Sequence, residues 1–196
     1  MTDQGYTLFD TAIGRCALGW NRQGVVALQL PEPSDAATRA RLRRRHPGLE
    51  QASPPPAIEQ AIAAIVALLE GKPSDLSFVA LDMTPVPAFN RRVYEIARRI
   101  PPGRTRTYGE IAIELGDRAL ARDVGQALGQ NPFAIIVPCH RVMGANGKLT
   151  GFSANGGIET KLRMLGIEGA QIGSTPTLFE SLPAMAKPAR APARRH

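Results

Sequence analysis

The rhythm of apolar and polar positions changes several times along the chain. Three short runs rich in apolar residues, 6–9, 15–20 and 25–30, are separated by turn signals at Ile13-Gly14 and Arg22-Gln23-Gly24, which predicts a small antiparallel sheet at the start. Residues 34–46 read as a charged, exposed helix, and 47–56 as a loop whose consecutive prolines Pro54, Pro55 and Pro56 cannot continue it. Ile58, Ile62, Ile65, Val66 and Leu69 then recur at helical spacing, so a packed helix is expected to stop at Gly71. Residues 76–81 suit a further strand. The stiff stretch Thr84-Pro85-Val86-Pro87 separates two patterned regions and marks the expected domain boundary.

Beyond it, Phe89, Val93, Ile96, Ala97 and Ile100 mark one face of a helix, with Arg91, Arg92, Arg98 and Arg99 on its polar side. Thr107-Tyr108-Gly109-Glu110 fits a capping box, in which the Thr107 hydroxyl and the Glu110 carboxylate satisfy each other's orphan backbone donors. Gly116 stops that short helix and Asp117 can cap the next. There Leu120, Val124 and Leu128 form an inward stripe, while Arg118, Arg122 and Gln126 lie together on the opposite side. Two short helices joined by a glycine turn, the second presenting arginines outward, fit a DNA-binding helix-turn-helix; they also fit any two consecutive amphipathic helices. Asn146-Gly147 suggests a hairpin or wing, and Ile158, Leu162 and Leu165 a final packed helix ending at Gly166.

Composition narrows the class. Apolar residues make up 43% of the 196, no apolar stretch reaches the roughly 18 residues of a membrane span, and Met1-Thr2-Asp3-Gln4 lacks the character of a signal peptide. A cytoplasmic protein without a membrane partner is expected. The net charge of +7 is uneven: −1 over residues 1–84, +5 over 85–170 and +3 over 171–196, so a polyanion would meet mainly the C-terminal part. Residues 171–196, rich in Pro, Ala and Arg toward the end, are expected to be a disordered basic tail. The whole reads as an α/β (α+β) fold: a small N-terminal mixed sheet with helices over 1–84, then a helical domain over 85–170 containing a winged helix-turn-helix.

Two cysteines, Cys16 and Cys139, lie far apart without metal-like spacing, and both should be reduced thiols. Cysteine is a nucleophile only as thiolate, and an adjacent imidazole can take its proton. In Pro138-Cys139-His140 the histidine is the obvious base. Neighbouring residues on a strand point to opposite faces, however, so the two can cooperate only if Pro138 begins a turn. The alternative is a small buried hydrophobe at the end of the apolar run 133–137.

Several ordered motifs bear on this choice: Thr107-Tyr108-Gly109-Glu110-Ile111-Ala112, Ala121-Arg122-Asp123-Val124-Gly125, Gly129-Gln130-Asn131-Pro132, Pro138-Cys139-His140-Arg141-Val142, Gly151-Phe152-Ser153 and Ile167-Glu168-Gly169. Together they make residues 85–170 resemble the O6-alkylguanine-DNA alkyltransferases, also called methylated-DNA-protein-cysteine methyltransferases. The resemblance implies that Cys139 irreversibly accepts an alkyl group, chiefly methyl, from O6 of guanine in double-stranded DNA, without a cofactor and once per molecule. It implies that His140 deprotonates Cys139 through water, oriented by Glu168. It further implies that Asn131 is a hinge to the cysteine segment and that Tyr108 crowds the backbone phosphate and protonates the leaving guanine. Arg122 would replace the flipped base in its stack, Arg118 and Gln126 would share its DNA-binding face, and Val142, Phe152, Ser153 and Ala134 would line the guanine pocket.

The sequence departs from the family pattern at Ala134, where proline is common, at Phe152, where tyrosine is common, and at Asp123, which sets a carboxylate beside the DNA-binding surface. Two extra residues fall within 153–158, and the N-terminal Cys and His zinc ligands of some relatives are absent, with only Cys16 and His46 available, so no structural zinc is expected. A monomer without an obligate protein partner is expected. A lesion-binding protein that only flags damage is a rival, disfavoured by the presence of Cys139. A thiol hydrolase built on Cys139, His140 and Glu168 is another, which would leave the helix pair and Arg122 unexplained.

Overall fold

A computed structural model describes residues 3–170, so the expected tail at 171–196 lies outside the described residues. The three N-terminal runs form a meander, β1 (Gly5–Thr11), β2 (Gly14–Asn21) and β3 (Gly24–Gln29), paired antiparallel in that order. β2 is buried continuously from Cys16 through Trp20 rather than on alternate residues, because both faces of the sheet are covered. Cys16, Leu18 and Trp20 join the main core, while Ala17 packs with Tyr6, Ala27, Leu42 and Leu49 under the first helix.

That helix, α1 (Asp35–Arg45), is capped by Ser34, whose hydroxyl accepts from Ala37 N at 3.2 Å. Asp35 in its first turn and Arg43, Arg44 and Arg45 in its last complement the helix dipole. It is not exposed all round, because Thr38 and Leu42, one turn apart, are buried against the sheet. α2 (Pro56–Leu69) buries Ile58, Ala61, Ile65, Leu68 and Leu69, and Gly71 follows it at φ 78°.

Residues 76–81 are not a strand. The chain bends there, with Val79 N donating to Leu76 O, and the Arg98 guanidinium collects the carbonyls of Leu76, Ser77 and Val79 at 3.2, 3.1 and 2.9 Å. Carbonyls gathered on one cation cannot also form a ladder. A single bridge remains, in which Val25 N donates to Ala80 O and Asp82 N donates to Val25 O.

The C-terminal half contains α3 (Ala88–Arg98), a two-residue strand β4 (Arg106–Thr107), α4 (Tyr108–Leu115), a 3₁₀ turn (Arg118–Leu120), α5 (Ala121–Gly129), β5 (Val142–Met143) and α6 (Gly157–Ile167). The Thr107–Glu110 capping box is formed in both directions. Gly116 closes α4 at φ 115°, and Asp117 Oδ1 accepts from Ala119 N at 2.8 Å, so a helix, a tight turn and a second helix follow one another as expected. The wing differs from expectation. Asn146 and Gly147 do turn, but Gly144 N closes the loop on Lys148 O, and β5 pairs in parallel with β4 rather than in a hairpin.

The α6 stripe is also different. Ile158 and Leu162 are exposed, and the buried face is Lys161, Met164 and Leu165; the helix runs past Gly166 to Ile167. A lysine on the inward face disguised the pattern. One apolar cluster extends across both halves of the chain, through Leu18, Val25, Ile65, Tyr94 and Phe133. The Tyr94 ring meets Phe133 edge-on at 6.3 Å and its hydroxyl donates to Ala127 O at 2.8 Å. Leu28 N donates to Pro132 O at 2.8 Å, bringing β3 alongside the segment that leads to Cys139.

Candidate active site

Between α5 and Cys139 the chain is irregular and tightly wound. Ile135 sits at φ 69°, a region a β-branched residue rarely adopts and which costs on the order of 1–3 kcal/mol. Asn131 offsets this by bracketing the segment: its Nδ2 donates to Val137 O at 2.8 Å and its Oδ1 accepts from Phe133 N at 2.9 Å. After Pro138 a 3₁₀ turn covers Cys139–Arg141, which is the departure from strand geometry that Cys139 and His140 need in order to cooperate.

His140 is fully buried, and its Nε2 lies 2.9 Å from Glu168 Oε1. Arg141 grips the same carboxylate, Nε to Oε2 at 2.9 Å and a terminal nitrogen to Oε1 at 2.7 Å, and donates again to Ile100 O at 2.6 Å. Burial pushes the Glu168 carboxyl up, but the hydrogen bonds from His140 and Arg141, together with the Arg141 charge, outweigh it and hold the group at about 2. An ionised Glu168 only accepts, so the proton of neutral His140 sits on Nε2 and the Nδ1 lone pair is left as the base. Nδ1 is buried and has no protein partner. Burial also lowers the His140 pKa, against the pull of Glu168, which favours the neutral imidazole.

Acid should therefore unfold the protein through Glu168. Its carboxyl is depressed from 4.5 to about 2, so the contribution is complete above about 4.5 and lost as pH falls toward 2. The urea midpoint should fall through that window, and Glu168→Gln should flatten the fall; an equal slope in both proteins would contradict this.

Burial pushes the Cys139 thiol up, offset in part by a hydrogen bond from Asn131 and by the charge of Lys161. Lys161 is itself buried, and its Nζ donates to Val142 O at 2.6 Å. Burial pulls the ammonium down while the cysteine opposes that. At rest the sulfur is thus a protonated thiol beside a neutral imidazole.

Cys139 lines a narrow cavity of about 40 Å³ with Asn131, Ala134, Phe152 and Ser153. Such a volume holds about a water molecule, not a purine. Val142, expected in the same lining, is instead buried in the core and held through its carbonyl by Lys161. Tyr108 does not reach the cavity; its hydroxyl meets Thr150 Oγ1 at 2.9 Å. Arg122 and Gln126 are exposed on α5 and Arg118 on the turn before it. A roomier cavity of about 890 Å³ touches Arg141 and Glu168 from behind but includes neither Cys139 nor His140. We place the chemistry in the small cavity because the thiol lines it and does not line the larger one.

Residues 88–170 match the sequence model of the 6-O-methylguanine DNA methyltransferase, DNA binding domain. A Mycobacterium leprae protein named methylated-DNA–protein-cysteine methyltransferase is 41% identical over 124 residues, 63% of this chain and 73% of its own length. The chain belongs to the methylated-DNA–protein-cysteine methyltransferase family. A Mycolicibacterium paratuberculosis member of that name is 50% identical over 92 residues, 47% of this chain and 54% of its own, so the match spans about half of that relative. Among solved structures, a variant of Mycobacterium tuberculosis OGT superposes with a TM-score of 0.69 at 35% identity, covering 90% of this chain and 99% of that one. The same organism's OGT in complex with DNA gives 0.67 at 36%, covering 84% and 92%. The likeness to these methyltransferases thus extends through the N-terminal sheet, where the sequence carries little signature.

Within this methyltransferase fold, the sequence reading missed four side chains near the site. Arg141 lies within the Pro138–Val142 motif, where nothing local marks its role, and Lys161 interrupts an apolar stripe. Arg41 and Arg45, from α1 in the other half of the chain, line the Cys139 cavity. Nothing in their local pattern marks them, since only the tertiary fold brings α1 there.

Proposed function

We propose that this protein repairs alkylated double-stranded DNA by transferring an alkyl group, chiefly methyl, from O6 of guanine to Cys139, once per molecule. The observation that carries the reading is the buried Glu168–His140 pair next to Cys139, with the Nδ1 lone pair uncommitted. His140 Nδ1 takes the thiol proton through a water, and Glu168 stabilises the imidazolium that forms. The thiolate attacks the alkyl carbon; the S–C bond forms as the C–O6 bond breaks with its electron pair on oxygen. The guanine ring takes a proton, a role we assign to the Tyr108 hydroxyl, which has to leave its Thr150 contact to meet the base. A thioether has no easy leaving group, so the cysteine is not regenerated.

An O6 substituent stacked in a duplex cannot approach a sulfur at the end of a narrow cavity in line, so the base is extruded, at a cost of about a few kcal/mol. Arg122, flanked by Arg118 and Gln126, fills the gap in the stack. The narrow cavity has to widen to admit a base, and the wall we assign to yield is the loop carrying Phe152 and Ser153. Asn131 keeps the cysteine segment fixed meanwhile.

Lesion loss should plateau at one per protein molecule. The transfer rate should rise with pH above neutrality, because the thiol is raised, and should not fall on the acid side until below the ordinary histidine value of 6.5, because the imidazole is lowered. Timed quenching against a methylated duplex checks both. Repeated turnover would instead favour a thiol hydrolase.

A further inference from the structure

The N-terminal segment has almost no net charge, which conceals a local concentration. α1 carries Arg39, Arg41, Arg43, Arg44 and Arg45 within its eleven residues. Its one acidic residue, Asp35, is paired with Arg15 at 2.8 Å. Arg41 is half spoken for: it donates to Glu32 at 2.6 Å and to the carbonyl of Ser153, in the loop that walls the Cys139 cavity, at 2.9 Å. Among the described residues no carboxylate pairs with Arg43, Arg44 or Arg45, and all three are exposed.

At about 100° per residue, Arg41, Arg44 and Arg45 fall within an arc of about 100° on one flank of the helix, and Arg39 and Arg43 on the other. Thr38 and Leu42 fix the inward direction. The flank that bears Arg41 and Arg45 is the one that meets the cavity, because both residues line it. Leu128 and Gly129, at the end of α5, line the same cavity. One guanidinium group without a protein partner, that of Arg45, therefore stands at the acceptor cavity, and the exposed Arg44 precedes it in the last turn of the helix.

We propose that Arg44 and Arg45, braced by Arg41, form a second phosphate-binding surface that holds the DNA strand carrying the extruded base at the mouth of the Cys139 cavity. A strand whose base enters the cavity must carry its flanking phosphates over the rim, and α1 supplies cations on the side that α5 leaves bare. Guanidinium suits this task, since it offers paired donors to phosphate oxygens and stays charged. The inference rests on the reading that alkylated DNA is the substrate.

The test measures binding of a duplex containing O6-methylguanine by anisotropy across a salt series, in a Cys139→Ala background that cannot react. Arg44→Ala with Arg45→Ala should weaken binding and reduce the slope of log Kd against log salt by about 2, near 0.9 per lost phosphate contact. Arg44→Lys with Arg45→Lys should keep the slope, and Arg43→Ala on the far flank should leave it unchanged. An unaltered slope in the double alanine variant, or an equal loss per charge from Arg43→Ala, would overturn the proposal. Failure of the parent protein to bind the duplex at all would overturn the repair function itself, and the surface with it.

Discussion

Glu168→Ala should destabilise the fold by about 3–5 kcal/mol, because it leaves the Arg141 guanidinium buried without its counter-charge. Both side chains are almost inaccessible, at 6% and 1% exposure, and the two hydrogen bonds between them are lost together. Only the contact from Arg141 to the Ile100 carbonyl would remain. The loss should appear as a lower urea midpoint with an unchanged m-value. Glu168→Gln keeps an acceptor for Arg141 and should lose less. Because the carboxylate also fixes the His140 tautomer, the glutamine variant should transfer alkyl groups slowly even where it is folded. An alanine variant as stable as the parent would mean that Arg141 finds another partner and that the network is not what anchors the end of α6.

His140→Ala should slow alkyl transfer by about 10²- to 10⁴-fold, the usual worth of a positioned general base. The residue is completely buried, so duplex affinity should not change and the defect should lie in the chemical step alone. Glu168 stays paired with Arg141, which limits the damage to the fold. Raising the pH should restore part of the rate, since direct ionisation of Cys139 then replaces the missing base. A variant within a few-fold of the parent at neutral pH would show that Lys161 and the backbone donors activate the thiol unaided.

Much of the architecture is legible in the residues because it depends on local rules. The three strands, the Thr107–Glu110 box, the Gly116 stop and the Asp117 cap each follow from a few neighbouring side chains and occur where those side chains put them. The pairing of His140 with Glu168 is not local. It was reached through the family resemblance, and the two groups do meet at 2.9 Å.

What stayed hidden involves polar groups turned inward. Lys161 occupies a core position on α6, so the apolar spacing pointed to Ile158 and Leu162, which are exposed. Tyr94 and Asn90 on α3 are likewise buried, although the pattern marked only Phe89, Val93, Ile96, Ala97 and Ile100 as its inward face. Arg98 draws three carbonyls out of what looked like a strand. The positive φ of Ile135 contradicts the preference of its own side chain and is imposed by surrounding contacts. The part played by α1 at the cavity mouth is a product of tertiary contact alone.

The central claim is that Cys139 becomes the alkyl acceptor. Incubation with a duplex containing one O6-methylguanine, followed by digestion and mass spectrometry, should show the Cys139 peptide heavier by one methylene while the Cys16 peptide is unchanged. Cys16 serves as an internal control, because burial lifts its thiol to about 12. An unmodified Cys139 peptide together with a persistent lesion would contradict the account.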